Sequence, residues 1–288
     1  MAAQPDTATR SRPLGDLGIR ALSAAVFVPA LLILAWRGDV WFAALICLMS
    51  AAGIREFVSM LRHGGKRPFA TLALAAATMF PMLLFLGYQE FLWAFWIVVL
   101  IACLLAAVAR GHPKDALQDI GTTLLAILYV GGLLGHLVVL RDLPENSGGT
   151  HMQGFLLVLF VFASMWVADT GAYLVGSLWG RRRIAQLISP GKSLEGAVGA
   201  AILTAAAGGV FAATVLSDLM PLWGGLLLGF LASIFGLLGD LVESMFKRDA
   251  GIKDSSNIIP GHGGVLDRFD SVLFVGPLIY WSLRWFLL

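Results

Sequence analysis

Residues 222–246 read LWGGLLLGFLASIFGLLGDLVESMF. Only two side chains in this run ionise, Asp240 and Glu243, and both stand near its end. About 17–25 apolar residues suffice to cross a bilayer as a helix. The run therefore reads as a transmembrane helix with acids at one end. Barrel strands would be about 10 residues long and alternate in polarity, and nothing in the chain looks like that.

Eight further apolar runs read the same way: 19–36, 40–56, 69–88, 91–109, 120–140, 154–178, 195–216 and 271–288. The 288 residues are 58% hydrophobic and 13% charged, with mean hydropathy +0.84. A soluble domain carries about 25% charged residues, so the soluble classes are excluded. The expected fold is an all-α polytopic integral membrane protein with about nine transmembrane helices. Cys47 and Cys103 both fall inside apolar runs, which argues against a disulfide framework.

Lysine and arginine fix the expected orientation, because they gather on the cytoplasmic side. With the N-terminus cytoplasmic, 17 of the 20 fall inside, and only Arg37, Arg141 and Arg284 fall outside. A miscounted helix would have mixed these totals. The net charge of +2 thus hides a basic inner face, suited to anionic lipid and anionic nucleotide. Residues 1–18 are polar and read as a disordered cytoplasmic tail without a cleaved signal peptide. Residues 19–150 hold about five helices whose charges read as topology signals. There, His136 reads as a hydrogen-bonded packing residue, and 141–153 as a plain connector. Gly131 with Gly135, and Gly176 with Gly180, read as close helix packing. Residues 151–288 hold about four helices and the chemistry.

The polar stretch after residue 239 carries that chemistry. From Asp240 to Asp270 it holds Asp240, Glu243, Asp249, Asp254, Asp267 and Asp270 beside Lys247, Arg248, Lys253 and Arg268. Ionisable groups are costly next to lipid and point to function. Asp240 and Glu243 share a helix face, three residues apart. Asp267 and Asp270 repeat that spacing at the start of the next helix. Four carboxylates around one spot would repel unless a divalent cation joined them. They could instead form topology-fixing pairs with Lys247, Arg248 and Arg268, but two acidic pairs exceed what charge balance needs. Between the pairs lies Pro260-Gly261-His262-Gly263-Gly264, a glycine-rich turn entering a helix N-terminus, where backbone N–H groups favour phosphate. His262 reads equally as phosphate ligand or turn residue. Upstream, Asp169 stands deep in an apolar run. It reads as a cation-orienting or nucleotide-recognising acid, or as a buried acid neutralised by its neighbours. Lys192 and Ser193 precede a helix, as a phosphate-contacting turn or, for Ser193, an N-cap. The triple Arg181-Arg182-Arg183 reads first as a positive-inside signal.

The run Ser244-Met245-Phe246-Lys247-Arg248, then Lys253-Asp254-Ser255-Ser256, then Pro260 through Asp270 resembles the 27-residue signature of the phosphatidate cytidylyltransferases, also called CDP-diacylglycerol synthases, with every defined position filled. Asp169-Thr170-Gly171-Ala172-Tyr173 and the segment Ser189 to Gly196 are also similar to that family. The segment departs at Gly191 and Leu194, where the family often has Lys and Trp. The resemblance covers about 160–288 and implies transfer of a cytidylyl group from CTP to phosphatidate, releasing pyrophosphate. It implies Asp240 and Asp267 as primary Mg²⁺ ligands with Glu243 and Asp270 auxiliary, and leaves open a monovalent cation beside Mg²⁺. It further implies Lys247, Arg248 and Arg268 as catalytic cations, and Lys192, Ser193, Lys253, Asp254, His262, Gly263, Gly264 and Asp169 as substrate contacts. A phosphomonoester is already nucleophilic at neutral pH, so the lack of a Ser-His-Asp or Cys-His set is no objection. The expected partners are CTP, phosphatidate and the bilayer, with no nucleic acid; the resemblance alone suggests a homodimer. The expected place is a bacterial inner membrane with the site facing the cytoplasm. A transferase acting on an ether lipid or polyprenol is the nearest alternative. A cation-coupled transporter is further off, since the charges cluster at one face rather than along a path.

Overall fold

A computed structural model of the chain describes residues 13–256 and 263–287. The helices are α1 (Pro13–Arg37), α2 (Asp39–His63), α3 (Ala70–Phe85) and α4 (Leu92–Arg110). α5 (Ala116–Ala126) passes through a π-helical stretch, Ile127–Gly132, into α6 (Leu133–Asn146), giving one continuous rod. Then come α7 (His151–Trp179), α8 (Leu194–Thr214), α9 (Leu222–Asp249) and α10 (Leu266–Ser282). Each expected apolar run overlaps a helix. Among the described residues, six are long and apolar enough to cross a membrane: α2, α4, the α5–α6 rod, α7, α8 and α9. The part of α1 from Ala25, and all of α3, are shorter apolar helices.

Several local readings change. The helix of α1 already begins at Pro13, inside the stretch read as a tail, and residues 1–12 lie outside the described residues. A two-stranded hairpin qualifies the all-helical reading: β1 (Arg183–Ala185) pairs antiparallel with β2 (Ser189–Ser193), Arg183 opposite Ser193. Pro190 has no N–H and Gly191 no side chain, so this segment favours an exposed hairpin over continued helix. The supposed connector 141–153 is mostly helix. α6 runs to Asn146, and Thr150 starts α7 with a capping box to Gln153. Arg141 is no solvent-facing topology signal. It is 1% exposed and donates Nε to Ala35 O at 2.8 Å, satisfying a C-terminal carbonyl of α1. His136 packs as expected: its two nitrogens meet Gly132 O at 2.9 Å and Trp281 Nε1 at 3.2 Å.

The first half packs α2 against α3 and the α5–α6 rod, around Phe42, Ile46, Phe57 and Leu134. In the second half α8 lies between α7 and α9. A Cβ on Gly208 of α8 would collide with the carbonyl of Gly225 on α9, and one on Gly225 with that of Gly208. Only glycine permits this approach, the usual device where helices must associate in lipid. α10 joins the halves by packing on both α9 and α6. That sets the start of α10 beside the end of α9, where the signature residues lie.

Candidate active site

Two adjacent clusters form at this junction. The first lines a cavity of about 540 Å³ between α7, the hairpin, α8 and α9. Asp169 and Tyr173 reach it from α7, Lys192 and Ser193 from the hairpin, and Asp240 from α9. The hairpin register carries Lys192 onto Asp240, and the two form a short ion pair. Ser244, one turn on, donates its hydroxyl to Asp240 Oδ1 at 3.3 Å. Ser193 is the N-cap of α8, accepting from Gly196 N at 3.1 Å. The residue also lines the cavity, so Ser193 stands as an N-cap at the cavity wall. Glu195 accepts from the backbone N–H groups of Arg181 (2.9 Å) and Arg182 (3.1 Å), fixing the turn that launches the hairpin. Small residues line much of the rest, including Gly176, Gly196, Ala172 and Ala197, so backbone is reachable by a ligand.

The second cluster centres on Lys247. Its ammonium bridges Glu243 of its own helix at 2.7 Å and Asp267 of α10 at 2.8 Å. Glu243 is fully buried, and its Oε1 has no hydrogen-bond partner among the described residues. Asp267 also accepts from Ser255 Oγ (2.7 Å), Ser255 N (3.1 Å) and Gly264 N (2.8 Å). Asp267 precedes the apolar part of α10. Burial alone would raise its carboxyl, but the bonds from Lys247, Ser255 and Gly264 outweigh it and hold the group down at about 2. Asp270 lies one turn further along and accepts from Ser271 N at 2.6 Å.

The four acids therefore sit near one another without converging on one point. Among the described residues, no three Asp, Glu, His or Cys side chains close around a metal position. Lysines intervene instead, Lys192 on Asp240 and Lys247 between Glu243 and Asp267, because opposite charge is what keeps buried carboxylates together. The glycine-rich turn also differs from expectation. Gly263 adopts φ +81°, as a glycine there can, but the Gly264 N–H already points at Asp267 rather than standing open. Pro260, Gly261 and His262 lie outside the described residues. Arg248 straps the hairpin tip, donating to Ile188 O at 3.3 Å. Lys253, Asp254 and Arg268 are exposed around the site.

One participant escaped the sequence reading. Glu56 of α2 is 2% exposed. It accepts from Val265 N and Leu266 N at 2.9 Å each, from Ser256 Oγ at 2.6 Å and from Ser255 Oγ at 3.4 Å. The signal was present: an acid at the end of the apolar run 40–56.

A sequence model described as the cytidylyltransferase family matches residues 18–286. The chain is 38% identical over 294 residues to a phosphatidate cytidylyltransferase of Synechocystis, an alignment covering 91% of this chain and 94% of that protein. It is 40% identical over 176 residues to one of Staphylococcus saprophyticus, covering 61% of this chain and 64% of the relative. Against one of Bacillus subtilis it is 38% identical over 170 residues, covering 59% and 60%.

Proposed function

Because this chain belongs to the cytidylyltransferase family, we propose that it transfers the cytidylyl group of CTP to phosphatidate, giving CDP-diacylglycerol and pyrophosphate. The observation that carries this reading is the pair of lysine–carboxylate clusters meeting beside a cavity at the α9–α10 junction. Phosphoryl chemistry needs positioning and charge neutralisation more than covalent help. An oxygen of the phosphatidate phosphate attacks the α-phosphorus of CTP in line. The bond to the pyrophosphate oxygen breaks as the new P–O bond forms, and pyrophosphate leaves with the electron pair.

Lys192, at the cavity wall, is set to neutralise charge on the triphosphate, and Asp240 holds it there in the free protein. Lys247 serves the reacting phosphates from the neighbouring cluster, oriented by Glu243 and Asp267. Arg268, Lys253 and Arg248 add positive potential around the site. Asp169 and Tyr173 line the cavity on the α7 side, where nucleotide contact is expected.

The donor set suits a hard cation: the groups are carboxylates, and Glu243 Oε1 is a buried oxygen without a partner among the described residues. Mg²⁺ usually takes one or two protein carboxylates, with water and substrate phosphates completing its shell, so a closed protein cage is not required. Asp240 and Asp267, with Glu243 and Asp270 beside them, would hold it. When bound, it would neutralise the negative charge developing across the triphosphate.

The finer topology belongs to the same reading: nine spans, N-terminus in the cytoplasm, and the site at the cytoplasmic face of a bacterial inner membrane. The 17-to-3 division of lysine and arginine supports it. Purified protein given CTP with phosphatidate, an ether-lipid phosphate or a polyprenyl phosphate tests the acceptor. CDP-diacylglycerol formed from phosphatidate at the highest kcat/KM is the expected result. A preference for either other lipid would overturn the assignment.

A further inference from the structure

Glu56 lies in α2, in the half of the chain that the signature does not reach. A buried carboxylate is costly unless its oxygens are satisfied. Here they take four donors, two hydroxyls of Ser255 and Ser256 and two backbone N–H groups at the start of α10. The N-terminus of a helix exposes such donors and favours negative charge. These are the N–H groups of Val265, the N-cap of α10, and of the residue after it, which an N-cap side chain does not reach. Their acceptor comes from a residue 209 positions before Val265 in sequence.

What Glu56 holds is the frame of the Lys247 cluster. Ser255 donates to Asp267 at 2.7 Å and also reaches Glu56. Gly264, whose N–H binds Asp267, packs so near that a Cβ there would stand 2.6 Å from Glu56 Oε2 and would collide with Ser255 Oγ. The neighbouring Phe57 packs edge-on against Phe246, ring centres 5.3 Å apart, just before Lys247. Two consecutive residues of α2 thus touch the start of α10 and the end of α9.

Resting on the cytidylyltransferase reading above, we propose that Glu56 is a positioning residue for the transfer: it ties Ser255 and Ser256 to the first residues of α10 and so fixes where Asp267 and Lys247 stand. It touches no reacting atom. Its removal loosens the registration of α9, α10 and the 255–256 segment while leaving the cavity around Lys192 intact.

The test compares wild type, Glu56→Ala and Glu56→Gln in detergent, by steady-state kinetics and by amide hydrogen exchange over 250–256 and 263–270. Glu56→Ala is expected to lower kcat at least tenfold while KM for CTP moves less than threefold. Exchange should quicken in those two stretches and stay unchanged in α7 and α8. Glu56→Gln keeps one accepting oxygen, and so one of the two backbone donors, and should lose less kcat than Glu56→Ala. Wild-type kcat in Glu56→Ala would overturn the proposal. So would equal losses in both variants with exchange raised throughout the protein, which would mark a general packing role. If Glu56→Ala does not fold, Glu56→Asp, which withdraws the carboxylate by one methylene, is read by the same criteria. Absence of turnover in wild type would count against the cytidylyltransferase reading itself; the exchange comparison needs no turnover and judges the Glu56 tie separately.

Discussion

Lys247 stands between two carboxylates, 2.7 Å from Glu243 and 2.8 Å from Asp267. Replacing it with Met keeps much of the stem but leaves Glu243 buried without its ammonium. Removing one partner of a buried pair costs about 3–5 kcal/mol, so Lys247→Met should lower the melting temperature as well as the rate. Lys192 differs, being half-buried at a cavity wall. Lys192→Ala should slow turnover by about 10²–10³-fold, the usual cost of losing one charge-stabilising donor, with little change in melting temperature. Melting curves and kinetics on both variants check the contrast. Comparable destabilisation by the two would mean that Lys192 is a structural ion pair. At this scale the sequence was legible in kind but not in pairing. The signature put acids and lysines together, yet nothing in it says that Lys192 meets Asp240, because that contact depends on how a hairpin folds back across α9.

Ser193 shows how one element serves the site. It caps α8, ends β2 and borders the cavity. Ser193→Gly keeps most of the capping benefit, whereas Ser193→Ala loses about 1 kcal/mol. If the hydroxyl also contacts substrate, both variants raise KM for CTP while only Ala lowers stability. Equal, wild-type KM in both would restrict Ser193 to capping. The α8–α9 contact makes a sharper prediction. Gly225→Val should cost at least about 1–3 kcal/mol, since added side-chain atoms meet backbone rather than a movable side chain. Thermal unfolding in detergent measures it, and unchanged stability would contradict the close approach. Helices were the most legible elements, because uninterrupted apolar length decides them in lipid. The hairpin and the long α6 were not. Strands of three and five residues are too short to show a periodic pattern, and the helical end of α6 hides among Pro144, Glu145 and Asn146, residues that elsewhere mark a loop.

On the scale of the whole molecule, the two halves are interdependent. Glu56, Phe57 and the α6–α10 contact carry the first half into the site. In the sequence, chemistry is legible only after residue 150, because an acid in one helix and backbone donors 209 residues away look unrelated until the bundle closes. Orientation is testable at this scale. With Cys47 and Cys103 replaced, Leu187→Cys at the exposed hairpin tip should react with an impermeant thiol reagent only from the cytoplasmic side, and Ser147→Cys only from the other. Labelling of both from one side would refute the proposed topology. Pyrophosphate release reports the transfer itself. Purified protein should release pyrophosphate only with CTP, phosphatidate and Mg²⁺ together, and Asp267→Asn should abolish it without unfolding the protein. Well-folded protein that releases none with all three present, or an Asp267→Asn variant that turns over like wild type, would contradict the account.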